Sequence, residues 1–503
     1  MHDYIKKILT ARVYDVAIES PLDGLPRLSR RLHNRVLLKR EDLQPVFSFK
    51  LRGAYNKIVN LPRGTLARGI ICASAGNHAQ GVALAAQRLG VRAVIVMPIT
   101  TPAIKIEAVR NLGGETILHG DTFDEAYQQA RRLEAEQGLA FIHPYDDPEV
   151  IAGQGTIGME LLRQHPDPIE AIFVAVGGGG LLAGIAVYVK FLRPDIKLIG
   201  VEPEDAASMY QALKQQQRVR LEHVGLFADG VAVRQVGEET FRLVRELVDE
   251  IILVSTDEIC AAIKDIFDDT RSIAEPSGAL GIAGLKKYVD IHGTSNVNLI
   301  AVNGGANMNF DRLRHVAERA ELGEYREALL AVAIPERPGS FRRFCETLGR
   351  RNITEFNYRY ADPEQAWVFA GIELSQGREE KNEIIEQLRH CGYEVLDMSD
   401  NEMAKLHVRY MVGGHAPGIQ DELLYRFQFP ERPGALLQFL TGMVAGWNIS
   451  LFHYRNHGAD YGRVLAGIQV PPAERPRFQR YLDELGYDYL EETPNPAYRV
   501  FLG

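Results

Sequence analysis

Four short stretches hold residue types suited to carbonyl and phosphate chemistry. The first is Ser48-Phe49-Lys50-Leu51-Arg52-Gly53-Ala54. A lysine between two apolar residues, at the predicted start of a helix, is a candidate Schiff-base former. Desolvation and the positive end of the helix both disfavour its ammonium form. An amphipathic lysine whose stem lies on apolar surface reads the same way locally. The second stretch is Ser74-Ala75-Gly76-Asn77-His78. Asn77 both donates and accepts, so it can hold a phenolic oxygen. Ser74 and the amides of the following helix start can hold a carboxylate. The same residues also read as a helix cap with a turn glycine. The third, Gly177-Gly178-Gly179-Gly180-Leu181, lets consecutive amides face one anion at a helix start and is a natural phosphate seat. No Gly-Lys-Ser/Thr follows it, and its spacing is not that of a dinucleotide fingerprint. A tight strand-to-helix turn needs only one or two of these glycines. The fourth, Asn303-Gly304-Gly305-Ala306-Asn307, ends a predicted strand where a polar group can reach a heteroaromatic nitrogen; alone it is a glycine-rich turn.

The elements between these stretches alternate. Strands are predicted over 35–39, 69–73, 93–97, 115–118, 171–176, 196–201 and 296–302. Helices are predicted after Lys50, to Leu89, over 104–112 and 121–137, after Gly180 and over 279–289. This rhythm implies an α/β fold of parallel sheets with helices on both faces, and a ligand crevice at the carboxyl ends of the strands. The chain has 503 residues, 46% apolar and 24% charged, which favours more than one domain with ample core. A net charge of −9 argues against a nucleic-acid footprint. Cys72, Cys260, Cys345 and Cys391 are too scattered for a zinc site or a disulfide framework. No apolar run reaches the roughly 20 residues that span a bilayer, and the N-terminus has no signal-peptide pattern. A cytoplasmic enzyme of small molecules, without nucleic-acid or membrane partners, is the expectation.

Beyond about residue 320 the pattern changes to two copies of one unit. Pro335-Glu336-Arg337-Pro338-Gly339 recurs as Pro430-Glu431-Arg432-Pro433-Gly434. Asn352-Ile353-Thr354-Glu355-Phe356-Asn357-Tyr358-Arg359 recurs as Asn448-Ile449-Ser450-Leu451-Phe452-His453-Tyr454-Arg455. Such ordered identity is duplication. Each copy reads strand, Pro-Gly turn, helix, strand, strand, helix, strand. Closing strands are predicted over Leu406–Val412 and Tyr498–Leu502.

In this order the motifs resemble fold-type II pyridoxal phosphate enzymes, and specifically threonine and serine dehydratases, over residues from about 10 to 320. The duplicated end resembles paired ACT-like regulatory domains and narrows the likeness to the biosynthetic threonine deaminase (L-threonine ammonia-lyase) family. The resemblance implies a catalytic domain at 1–322 and ACT-like domains at 323–418 and 419–503. It puts Lys50 at the Schiff-base position and, with Phe49, Asn77 and Gly177 to Leu181, at the cofactor. Asn77 would face the cofactor's phenolic oxygen and the glycines its phosphate. Ser74, Ala75, Asn77 and His78 would bind the substrate carboxylate, and Glu275, in Ala274-Glu275-Pro276-Ser277-Gly278-Ala279, would lie near the cofactor. Gly304 stands where the family usually has the serine that faces the pyridine nitrogen; Asn303 or a water would have to substitute there. The racemase branch's cation site maps to Glu202, Ala206 and Ser208, where Ser208 replaces a carboxylate, so no metal is expected. The implied reaction is dehydration and deamination of L-threonine, with L-serine as a second substrate, to 2-oxobutanoate and ammonia in isoleucine biosynthesis. Isoleucine would inhibit and valine oppose it through Tyr358 and Tyr454, which also read as packed interstrand aromatics, in a homotetramer. Two rivals remain: a serine dehydratase or racemase, which lacks the paired C-terminal units, and an amino-acid sensor with a decayed cofactor site marked by Gly304.

Overall fold

The computed structural model describes all residues except 311, 350, 361, 407, 411–413, 417, 431–434, 444–446, 456–460, 496–497, 499–501 and 503. It divides into two units, Met1–Gly323 and Glu324–Gly503. Among the described residues, no helix is long and apolar enough to cross a membrane.

The first unit carries β1 (Leu22–Gly24), β2 (Arg35–Arg40), β3 (Ile70–Ala73), β4 (Ala93–Met97), β5 (Glu115–Leu118), β6 (Ala140–Phe141), β7 (Ala171–Ala175), β8 (Lys197–Pro203), β9 (Glu250–Val254) and β10 (Asn298–Asn303). They form a six-stranded sheet, β1-β2-β10-β7-β8-β9, and a four-stranded sheet, β5-β4-β3-β6. Every pairing is parallel except β1 with β2. The near-continuous apolar runs of β4 and β7 follow from this, since a parallel strand covered on both faces has no solvated side. Helices start where the local chemistry dictates. The helix Phe123–Gln137 opens on a reciprocal cap between Thr122 and Glu125, and Pro148–Gln164 opens with Asp147 accepting from the Glu149 and Val150 amides.

The second unit carries β11 (Glu327–Pro335), β12 (Ile353–Arg359), β13 (Gln365–Glu373), β14 (Glu394–Asp397), β15 (Glu422–Pro430), β16 (Asn448–Arg455), β17 (Tyr461–Gln469) and β18 (Asp488–Glu491). All lie in one antiparallel sheet, ordered β14-β11-β13-β12-β16-β17-β15-β18. The two copies meet at β12 and β16, where Tyr358 pairs with Phe452 and Phe356 with Tyr454. The Phe356 and Phe452 rings meet edge to face, 5.4 Å apart, so the aromatic core runs through the junction.

The closing strands differ from expectation. Among the described residues the last strand of the first copy is β14 and that of the second is β18; they pair with β11 and β15, and residues 407, 411 and 412 of the first predicted closing strand lie outside the described residues. Residues Glu402–Leu406 are helical and Val408–Tyr410 form a 3-10 turn. Alternation misled here because Arg409 points inward, held by Glu355 at 2.9 Å and Glu327 at 3.5 Å. An ion pair supplies the burial that an apolar residue was expected to supply. Of 498–502 only Tyr498 and Leu502 are among the described residues, and neither is in a strand.

Candidate active site

Lys50 is the first residue of the helix Lys50–Val59. Its ammonium lies 4.5 Å from the centre of the Phe49 ring. Crowding by protein pushes its pKa down to about 8, and the nearby Glu275 only partly offsets that. The helix Asn77–Leu89 packs directly on this turn: a Cβ on Gly81 would stand 3.0 Å from the Leu51 amide. A substantial fraction of Lys50 is thus a neutral amine near pH 8, the form that attacks a carbonyl or takes a proton.

Asn77 and Glu275 both face this amine's surroundings and are nearly fully buried. The Asn77 amide nitrogen donates to Glu275 Oε1 at 2.6 Å, and Ser277 Oγ donates to the same oxygen at 2.7 Å. Burial raises the Glu275 pKa above the usual carboxylate range, with Ser277 as the main opposing influence. Ser74 accepts from the Gly76 amide at 3.2 Å, and Ser74 and Ala75 stay partly accessible ahead of the helix start. The His78 ring is turned away, its Nε2 on the Ile142 carbonyl at 2.9 Å. Burial lowers its pKa to about 3, so the imidazole stays neutral.

Gly177 to Leu181 link β7 to the helix Gly180–Leu192. Gly179 has a φ of +94°, which L side chains rarely adopt. A Cβ on Gly178 would overlap the Tyr145 ring, and one on Gly180 would stand 3.0 Å from the Tyr145 carbonyl. The Gly178 carbonyl accepts from Thr240 Oγ1 at 2.6 Å. A Cβ on Gly177 would stand 3.0 Å from the Val231 Cα, so each of the four glycines has a reason and the loop is a fixed glycine cradle with amides at a helix start. Tyr145 and Thr240 were not foreseen, because each lies tens of residues from the loop it supports.

The fourth stretch, Asn303 to Asn307, packs against the Lys50 turn and the Glu275 segment. Phe49 donates its amide to the Gly304 carbonyl at 3.2 Å, and Glu275 donates its amide to the Gly305 carbonyl at 3.1 Å. A Cβ on Gly304 would meet only the Phe49 ring, at 3.4 Å. Next to it, Ser48 Oγ and Asn303 Nδ2 are buried without a hydrogen-bond partner. Asn303 Oδ1 accepts from the Gly305 amide at 3.3 Å. A lysine with a lowered pKa, a glycine cradle at a helix start, an amide donor and orphaned polar atoms are the groups that a phosphorylated aromatic aldehyde needs.

Glu202 is fully buried, and its carboxylate accepts from the Met209 and Tyr210 amides, both at 2.8 Å. It caps the helix Ser208–Gln215, and burial raises its pKa to about 8. In the second unit, Tyr358 is buried and its hydroxyl donates to Glu336, which also accepts from Asn448 Nδ2 at 3.0 Å. Tyr454 is buried on β16 opposite Phe356. Arg359, next to Tyr358, pairs with Glu422 of the other copy at 2.6 Å.

Residues 13–301 match the model of pyridoxal-phosphate dependent enzymes, and residues 318–408 and 413–502 each match that of the C-terminal regulatory domain of threonine dehydratase. The chain is 59% identical to the biosynthetic L-threonine dehydratase of Burkholderia multivorans, covering 100% of this chain and 99% of that one. The chain belongs to the biosynthetic threonine dehydratase family. Its Escherichia coli counterpart is 55% identical over 99% of this chain and 97% of its own. Among solved structures, processed threonine deaminase isoform 2 from Solanum lycopersicum matches with a TM-score of 0.63 at 55% identity, over 63% of this chain and 93% of that one. Maize serine racemase matches with a TM-score of 0.58 at 32% identity, over 63% and 96%. The threonine dehydratase family is pyridoxal-phosphate dependent, so this chain is a fold-type II pyridoxal phosphate lyase with a duplicated regulatory region.

Proposed function

We propose that the chain converts L-threonine to 2-oxobutanoate and ammonia at the Lys50 site, as the first step of isoleucine biosynthesis, and that isoleucine inhibits it through Glu324–Gly503. The observation that carries the catalytic half is Lys50 at the head of its helix beside the Phe49 ring, partly accessible yet crowded enough by protein to hold its pKa down to about 8. Lys50 anchors the cofactor and, once freed, takes the substrate's Cα proton. Ser74 and the amides at the start of Asn77–Leu89 hold the substrate carboxylate. Asn77 donates toward the cofactor's phenolic oxygen, and Gly177 to Leu181 hold its phosphate. Pyridoxal phosphate, when bound, supplies an electron sink for the charge left at Cα. The β-hydroxyl departs as water. Hydrolysis of the resulting enamine takes a water back and releases ammonia, so the reaction balances without an external oxidant or reductant.

The regulatory half rests on the duplicated unit, with Tyr358 and Tyr454 as effector contacts, isoleucine as inhibitor, valine opposing it and a homotetramer as the working assembly. An inhibitor must bind one global state better than the other. The experiment is 2-oxobutanoate formation from L-threonine, with and without isoleucine, on protein whose absorbance spectrum has been recorded. Activity that falls with isoleucine is expected. Colourless, inactive protein that still binds isoleucine would overturn the catalytic reading in favour of a sensor.

A further inference from the structure

Asn77 has no intrinsic reason to present one end of its amide rather than the other. The structure supplies one through Asn307. Asn307 Nδ2 donates to the Val46 backbone carbonyl at 2.8 Å. A carbonyl only accepts, so the atom of Asn307 on that side is its nitrogen. That same nitrogen donates to Asn77 Oδ1 at 2.7 Å. Asn77 must therefore turn its oxygen toward Asn307 and its nitrogen the other way, where it meets Glu275 Oε1 at 2.6 Å. Flipping Asn77 would set donor against donor at Asn307 and oxygen against oxygen at Glu275. Asn77 is 8% exposed and Glu275 4%, so water offers little relief.

We propose that Asn307 is a positioning residue: it holds Asn77 with its amide nitrogen, not its carbonyl, directed into the cofactor crevice. The inference rests on the placing of Asn77 at the cofactor's phenolic oxygen made above. The amide nitrogen has two hydrogens, one for Glu275 and one for that oxygen. Only this polarity lets Asn77 stabilise a negatively charged phenolate, and so keep the proton of the lysine-bound cofactor on nitrogen rather than oxygen.

Asn307→Asp inverts the lock, since a carboxylate at 307 accepts from Asn77 and leaves the Asn77 oxygen facing the crevice. Asn307→Ala merely releases it. The measurements are the pyridoxal phosphate dissociation constant and, at saturating cofactor, the ratio of visible to near-ultraviolet absorbance of the full-length protein. Expected are about tenfold weaker binding or more in Asn307→Asp, a smaller loss in Asn307→Ala, and a fall in the visible band in both. A residue that only supports the loop would lower thermal stability and leave the band ratio of the saturated protein alone. If Asn307→Asp does not fold, Asn307→Ala carries the test by itself. Wild-type affinity and band ratio in the variants overturn the proposal while leaving the cofactor reading intact. Failure of the wild-type chain to bind pyridoxal phosphate overturns both.

Discussion

Arg52 grips both oxygens of Glu160, Nη1 at 2.6 Å from Oε1 and Nη2 at 3.1 Å from Oε2, and neither side chain is exposed. The same guanidinium takes both oxygens of Glu41 at 2.8 Å. Lys39 adds a second cation to Glu160 at 2.6 Å. Two cations and two carboxylates thus neutralise one another beneath the turn that begins at Lys50. Removing one partner leaves a buried charge uncompensated, which typically costs about 3–5 kcal/mol. Glu160→Gln is expected to lower stability by about that much, read as the shift of the first transition in denaturant. A shift below about 1 kcal/mol would show that the network relaxes or admits water.

The lowered pKa of Lys50 gives a pH signature. Burial penalises its ammonium, so the neutral amine appears at lower pH than for a free lysine. Capture of pyridoxal phosphate by the cofactor-free protein needs that neutral form. The capture rate should rise with pH and level off above about 8, whereas an ordinary lysine keeps gaining to about 10.4. Rapid-mixing absorbance across that range decides between them. In the same assay set, Lys50→Arg should abolish 2-oxobutanoate formation, since a guanidinium neither forms the Schiff base nor takes a proton.

Gly304 leaves room for a side chain, since its Cβ would meet only the Phe49 ring. Gly304→Ser is expected to fold normally and to hold pyridoxal phosphate about threefold to tenfold more tightly, the worth of roughly one hydrogen bond. Equilibrium dialysis measures it. Weaker retention would mean that Ser48, Asn303 or water already serves the ring nitrogen and is displaced.

Tyr358 shares Glu336 with Asn448, so its hydroxyl lies where the two copies meet. Tyr358→Phe should raise the isoleucine concentration for half-inhibition by about tenfold, as expected for a lost charge-assisted hydrogen bond. An unchanged inhibition curve would reduce Tyr358 to a packing residue.

Much of this was legible in the sequence because it is local. Strand and helix periods alternate over 35–302, and the glycine cradle and the Lys50 turn are contiguous motifs. The long-range contacts were not legible. Asn77 meets Glu275 and Asn307 across about 200 residues or more, and nothing near Asn307 marks it as more than a turn residue. The same holds for Tyr145 against Gly178. Residues 408–410 differ for the opposite reason: the local pattern is clear, but Glu327 and Glu355 hold Arg409 inward, in a 3-10 turn rather than a strand.

The shared sheet of the second unit bears on how the duplication can be undone. β12 has β13 on one side and β16 of the other copy on the other. The strands left at the rims, β14 and β18, are four residues each. Cutting the gene after the first copy would bare the full row of amides and carbonyls along β12, together with Phe356. Such a rim is a template for sticking to any passing chain. The second copy therefore acts as a cover for the first.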